Sequence, residues 1–165
     1  MTNQSAENLS PKQLFQSIQV LYYSLLAGQL IIAAVFVVLN NSDDGGGMFA
    51  PIEFGESQMY TLIAGGLLIG CQVLARYIYY VRKNGISDLK DLKEKVGHYR
   101  SSVIARSGLM EGANLIALIF FFLEGNTLFL LIFAIGLAGF LLFRPSLHEF
   151  ETDYPVSTEE QRALK

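Results

Sequence analysis

The residues whose types and spacing could do chemistry lie in one stretch, Arg106-Ser107-Gly108-Leu109-Met110-Glu111-Gly112-Ala113-Asn114, which runs straight into apolar Leu115 to Leu123. An acidic group near a bilayer centre costs about 2.5–3.5 kcal/mol on insertion scales. Glu111 is therefore expected to face the inside of a helix bundle, where it is paired, hydrated or protonated. Ser107, Gly108, Glu111 and Asn114 fall at i, i+1, i+4 and i+7, on one face of a helix. Gly108-x-x-x-Gly112 lets a neighbouring backbone come close beside the carboxylate. A carboxylate so placed either carries protons or cations, or is held in a static pair that sets which helices pack.

The side chains that decide between these roles stand on the preceding apolar segments. Gln72 and Arg76 are four apart and share a face, and Gln29 and Tyr22 occupy one face of the first segment. Glu111, Asn114, Gln72, Arg76 and Gln29 are thus expected to form one intramembrane polar cluster. Arg106, five residues from Glu111 and off its face, is expected to snorkel to the headgroups.

Four apolar segments must position this cluster. They run over about 14–39, 59–81, 103–123 and 127–143, and a span needs about 20 apolar residues. The expected fold is all-α, a polytopic membrane protein with a four-transmembrane-helix bundle over 14–144. Residues 1–13 read as a flexible tail and 145–165 as a loosely ordered polar tail. The first segment is too long for a signal-peptide core, and no small-x-small cleavage site follows it, so it reads as a retained helix. Asn40 to Gly47 is a turn-forming run, but without a following Gly-Lys-Ser/Thr its three glycines are a linker rather than a phosphate cradle. Gly66-x-x-x-Gly70 gives the second span a close-packing face, as Gly108 and Gly112 do for the third and Ala134, Gly136, Ala138 and Gly139 for the fourth. Arg144-Pro145 stops the fourth span.

The connection 82–102 is strongly charged. Ser87 reads as the N-cap of a short surface helix, Leu89, Leu92 and Val96 as its apolar stripe, and Lys90–Glu94 and Asp91–Lys95 as its i,i+4 pairs. Its bases are Arg82, Lys83, Lys90, Lys93, Lys95 and Arg100, whereas the first and third connections have none. The positive-inside rule then puts both termini and this connection in the cytoplasm. A shift of 84 residues aligns Phe15–Leu39 with Tyr99–Leu123, matching Gly28 with Gly112 and Phe36 with Phe120. A parallel duplicated hairpin and chance matching of apolar runs both account for it.

Composition removes other classes. Of 165 residues, 52% are apolar and only 16% charged, against about a quarter charged in ordinary soluble domains. A net charge of −3 with no basic aromatic patch argues against nucleic acid. The lone Cys71 allows no intrachain disulfide. His98 and His148 lack metal-ligand spacing, and no serine has a recognisable base, so no metal, no cofactor and no enzymatic activity are expected.

Arg106…Glu111-Gly112 entering the third span and Arg144-Pro145-Ser146 ending the fourth resemble a family of small four-helix bacterial inner-membrane proteins to which no activity is assigned. That resemblance implies a bacterial inner-membrane location. Gly65-Gly66…Gly70 followed by Met110-Glu111-Gly112-Ala113 is similar, more distantly, to the proteolipid c subunit of rotary ATPases, which implies a proton-carrying Glu111. The chain departs from that family in its long charged connection, in glycines that do not alternate, and in Arg76. Small multidrug exporters also combine four helices with one Glu, but theirs lies in the first helix. The expected role is a structural or accessory membrane component that packs with itself or a partner. The alternative is an ion- or proton-coupled transporter or channel component using Glu111.

Overall fold

The computed structural model describes residues 10–43, 58–86 and 91–164, excepting the side chains of 41–43. The expected N-terminal tail as far as residue 9, the glycine run from Gly45, and Ser87, Leu89 and Lys90 with their cap, stripe and pair lie outside these residues. The described chain is all helical: α1 Pro11–Asp43, α2 Gln58–Lys83, α3 Leu92–Glu124, α4 Leu128–Leu142, α5 Leu147–Asp153 and α6 Thr158–Leu164. Three of these helices are long and apolar enough to cross a membrane, or four if α4 and α5, bent by 63°, are counted as one span.

Local chemistry sets the ends. At the start of α1 the Gln13 amide N–H donates to Ser10 Oγ and the Ser10 N–H to Gln13 Oε1, a reciprocal capping box. Gly125 adopts φ 66° and its N–H bonds to the Phe121 carbonyl, ending α3. This left-handed conformation is open to glycine at little cost. Asn126 Oδ1 then accepts from Leu128 N–H at 2.9 Å and opens α4.

Among its described residues the connection carries no separate surface helix. From Leu92 its residues belong to α3, which is 33 residues long and begins after Asp91 in extended conformation. The reason is packing. Leu92, Val96, Tyr99 and Val103 all bury into one cluster, joined by Leu14, Phe15 and Ile18 of α1 and Phe150, Tyr154 and Leu164 from the C-terminal segment. With a buried stripe running through it, nothing breaks the helix before the apolar part begins. Lys95 Nζ accordingly leaves Asp91 and reaches Glu160 Oε1 at 3.0 Å and the Pro155 carbonyl at 2.8 Å.

α3 is the axis of the bundle, packed against α1, α2 and α4. Cross-helix pairs give the directions. Phe15–Tyr99, Gln29–Asn114 and Phe36–Phe122 meet at nearly constant sequence separation, so α1 runs parallel to α3. Arg82 with Ser101 and Tyr60 with Phe120 run oppositely, so α2 is antiparallel to it. The separation between α1 and α3 partners stays within two residues of the shift of the sequence repeat, so the aligned residues lie at similar depths, although Phe36 stacks on Phe122 rather than on Phe120.

α4 is the shortest of the apolar helices. Its 15 residues span about 22 Å at 1.5 Å per residue, against a hydrocarbon core of about 30 Å. The segment 145–165 is not a loose tail. Ser146 Oγ accepts from Glu149 N–H to cap α5, and Ser157 with Glu160 forms a second capping box for α6. α5 is tied to α2 and α3 through Tyr79, Lys83, Tyr99 and Arg106, and α6 packs against α1 and reaches Lys95 of α3.

Candidate functional site

The expected polar cluster is divided in two. Gln29 of α1 and Asn114 of α3 are fully buried, and Asn114 Nδ2 donates to Gln29 Oε1 at 2.7 Å. Gln72 of α2 approaches the same stretch of α4, donating to the Gly136 carbonyl at a long 3.5 Å. Two glycines of α4 make this convergence possible. A Cβ at Gly136 would overlap Asn114 Oδ1 and come within 2.6 Å of Leu68 Cδ1, and one at Gly139 would overlap the Gln72 amide. The layer is incompletely bonded: Gln29 Nε2, Asn114 Oδ1 and Gln72 Oε1 are buried with no hydrogen-bond partner among the described residues.

Glu111 and Arg76 are not part of it, and they do not meet. Glu111 lies 11 residues, almost a whole number of turns, before Phe122, which stacks on Phe36 of α1 at 4.7 Å. Phe120, half a turn away on the helical wheel, meets Tyr60 of α2. Glu111 therefore turns toward α1 and away from α2, and it has no ion-pair or hydrogen-bond partner among the described residues. Arg76 is exposed, and its guanidinium lies 4.7 Å from the ring of Phe143 at the end of α4. The expected Glu111–Arg76 contact fails because α3 stands between the two side chains.

The expected small-residue faces also turn outward. A Cβ at Gly66, Gly70, Gly108 or Gly112 would meet nothing within 4 Å. Within one chain, close approach belongs to Gly136 and Gly139, while Ala134 and Ala138 of the same expected face are exposed.

A second polar assembly closes one end of the bundle, and the sequence reading missed it. Arg106 does not snorkel. Its side chain is only 3% exposed, and it donates to Glu149 Oε1 at 2.7 Å, to Glu149 Oε2 at 3.3 Å and to the Phe143 carbonyl at 2.8 Å. Its guanidinium also lies 4.5 Å from the Tyr79 ring. Tyr99 donates to the same Glu149 at 2.7 Å. Asp153 accepts from Tyr79 at 2.7 Å and is ion-paired with Lys83. Tyr154 bonds to His98 at 2.8 Å. Burial favours the neutral phenol and pushes Tyr154 up to about 12. Glu160 is held below the usual carboxylate range, first by the Ser157 backbone N–H and then by Lys95. The available signal was the pair of Ser-x-x-Glu capping boxes, Ser146–Glu149 and Ser157–Glu160, in a segment read as loose.

Among the described residues no group of three or more His, Cys, Asp or Glu side chains could hold a metal ion, and Cys71 is a free thiol. No protein-family model, curated protein or solved structure matches the chain, so the functional reading rests on its own residues.

Proposed function

We propose that this chain is a four-span protein of the bacterial inner membrane, with both termini in the cytoplasm. It has no enzymatic activity and serves as an accessory component that associates, through its outward helix faces, with further copies of itself. The observation that carries this reading is Glu111, a carboxylate on a long apolar helix with no ion-pair or hydrogen-bond partner among the described residues, flanked by Gly108 and Gly112, at which a Cβ would meet nothing within 4 Å. A group like this is rare against lipid and finds a partner or water.

A second copy offers the complement. Arg76 is exposed and has no carboxylate at ion-pair distance among the described residues. The pairing of Arg82 with Ser101 and Tyr60 with Phe120 puts Arg76 about 6–10 Å from Glu111 along the bundle axis at 1.5 Å per residue. A long side chain covers that separation. Because the two groups lie on opposite flanks of α3, the contact is head-to-tail, and assembly extends past two copies.

The topology is supported by the basic middle connection. The clasp around Arg106 gathers at the same end, and its charged partners on α5 put that helix outside the hydrocarbon. α4 then spans alone, and the bilayer thins or α4's flanking side chains snorkel to meet its short length.

The second reading, an ion- or proton-coupled carrier, draws on the same unpaired carboxylate. Glu111→Gln separates the two. In lipid vesicles, photobleaching step counts should shift to single copies. The association constant should fall roughly tenfold or more, since hydrogen bonds to charged groups contribute about 1.5–3 kcal/mol. Unchanged association together with loss of a pH-dependent flux overturns the accessory reading and supports the carrier.

A further inference from the structure

The layer formed by Gln29, Asn114 and Gln72 is placed where water is scarce and left with three unmet hydrogen-bonding atoms. Gln29 and Asn114 are wholly buried, and their mutual bond at 2.7 Å uses one donor and one acceptor. Gln29 Nε2, Asn114 Oδ1 and Gln72 Oε1 have no partner among the described residues. Orphaned polar groups in an apolar interior cost about 1–3 kcal/mol each, and native structures leave few of them.

The chemistry of what completes the layer follows from the amides themselves. A side-chain amide carries a carbonyl acceptor at one end and two N–H donors at the other. Turning both amides of the pair over exchanges which residue offers which, but the pair still presents one free donor end and one free acceptor. Gln72 adds a further acceptor. The ligand must therefore both accept and donate. A bare cation would face the free N–H, and an anion would face two carbonyl oxygens. Among the described residues no charged side chain bonds to the three amides.

We infer that Gln29, Asn114 and Gln72 form a binding site for a small neutral molecule that donates and accepts hydrogen bonds, and that its resident ligand is buried water. Gln29 donates to the water, and the water donates to Asn114 and Gln72. This is the set of two to four polar partners that a buried water needs. The site is built by α4. Asn114 Oδ1 and the Gln72 amide both lie against the side-chain-free stretch of Gly136 and Gly139, where any Cβ would displace them. The inference is independent of the association reading, because none of its three amides takes part in the contact proposed there.

The test uses the full chain, labelled with nitrogen-15, in lipid nanodiscs. Magnetisation is transferred selectively from water to side-chain amides, and the Gln29 and Asn114 signals are assigned by their loss in Gln29→Leu and Asn114→Leu. The expected result is transfer from water to both amides and its loss in Gly136→Ala, with helicity by circular dichroism unchanged. If Gly136→Ala does not fold, Gln72→Leu replaces it and should weaken the same transfer by removing one acceptor. Absence of transfer to Gln29 and Asn114 in the unsubstituted protein, while exposed Asn84 shows it, overturns the proposal. So does transfer that persists undiminished in the folded variants.

Discussion

Glu149→Gln should destabilise the protein by an amount that the surroundings of Arg106 set. Arg106 is buried to 3% exposure, so the substitution leaves a guanidinium inside the structure without its counter-charge. Breaking a buried pair from one side generally costs about 3–5 kcal/mol. Two features reduce the figure here. Glu149 is itself 23% exposed, so water reaches the site. The bond to the Phe143 carbonyl and the contacts with the Tyr79 and Phe143 rings remain, and a cation–π contact contributes about 0.5–2 kcal/mol. The expected loss is about 2–4 kcal/mol. For a chain of this length 1 kcal/mol corresponds to about 2–4 °C, so melting in a mild detergent should fall by about 4–16 °C. The companion double variant Arg106→Met with Glu149→Leu removes both charges and should recover most of the loss. A Glu149→Gln variant that melts with the unsubstituted protein would show that Arg106 is solvated and that the clasp is a surface ion pair.

Other outcomes follow from single residues. Gly136→Leu should lower stability by about 1–3 kcal/mol through overpacking against Asn114 and Leu68. Gly108→Ala, whose Cβ meets nothing, should raise monomer melting by the helix-propensity difference of about 0.8–1 kcal/mol; detergent melting curves compare the two. Because the carboxyl group of Glu160 is held below its ordinary range, the stability it adds is present above the unfolded value of about 4.3 and is lost as pH falls through the lowered folded value. Fluorescence of a Leu164→Trp reporter should therefore report undocking of α6 only on acidification. Tyr154, raised to about 12, works in the opposite sense. Its contribution holds below the ordinary tyrosine value of about 10 and is lost as pH rises toward the folded one, and a Tyr154→Phe difference titration of tyrosinate absorbance should show that late step.

How much of this was legible in the sequence depended on the range of the interaction. The long apolar runs of α1, α2 and α3 declare helices because each carries more apolar residues than a soluble surface tolerates. The buried amides were recognisable as polar residues out of place, and Gln29, Asn114 and Gln72 do converge. Pairing was not legible, because charge sign and depth match Arg76 with Glu111 while the azimuth of each helix about α3 keeps them apart. The same limit hid the clasp. Glu149 is a tail acid by composition and becomes the counter-charge of Arg106 only because Phe150 and Tyr154 bury against Phe15 and Tyr99. Glycine motifs failed for a related reason. Gly-x-x-x-Gly spacing records that a face is smooth, and whether a neighbour covers it is decided by the other helices. In α4 the decisive pair, Gly136 and Gly139, is spaced by three and was selected by two amides that need a backbone beside them. Glu111 is the residue whose reading moved furthest: with Arg76 removed from its side and no other partner among the described residues, the carboxylate is open to another molecule, to water or to a proton.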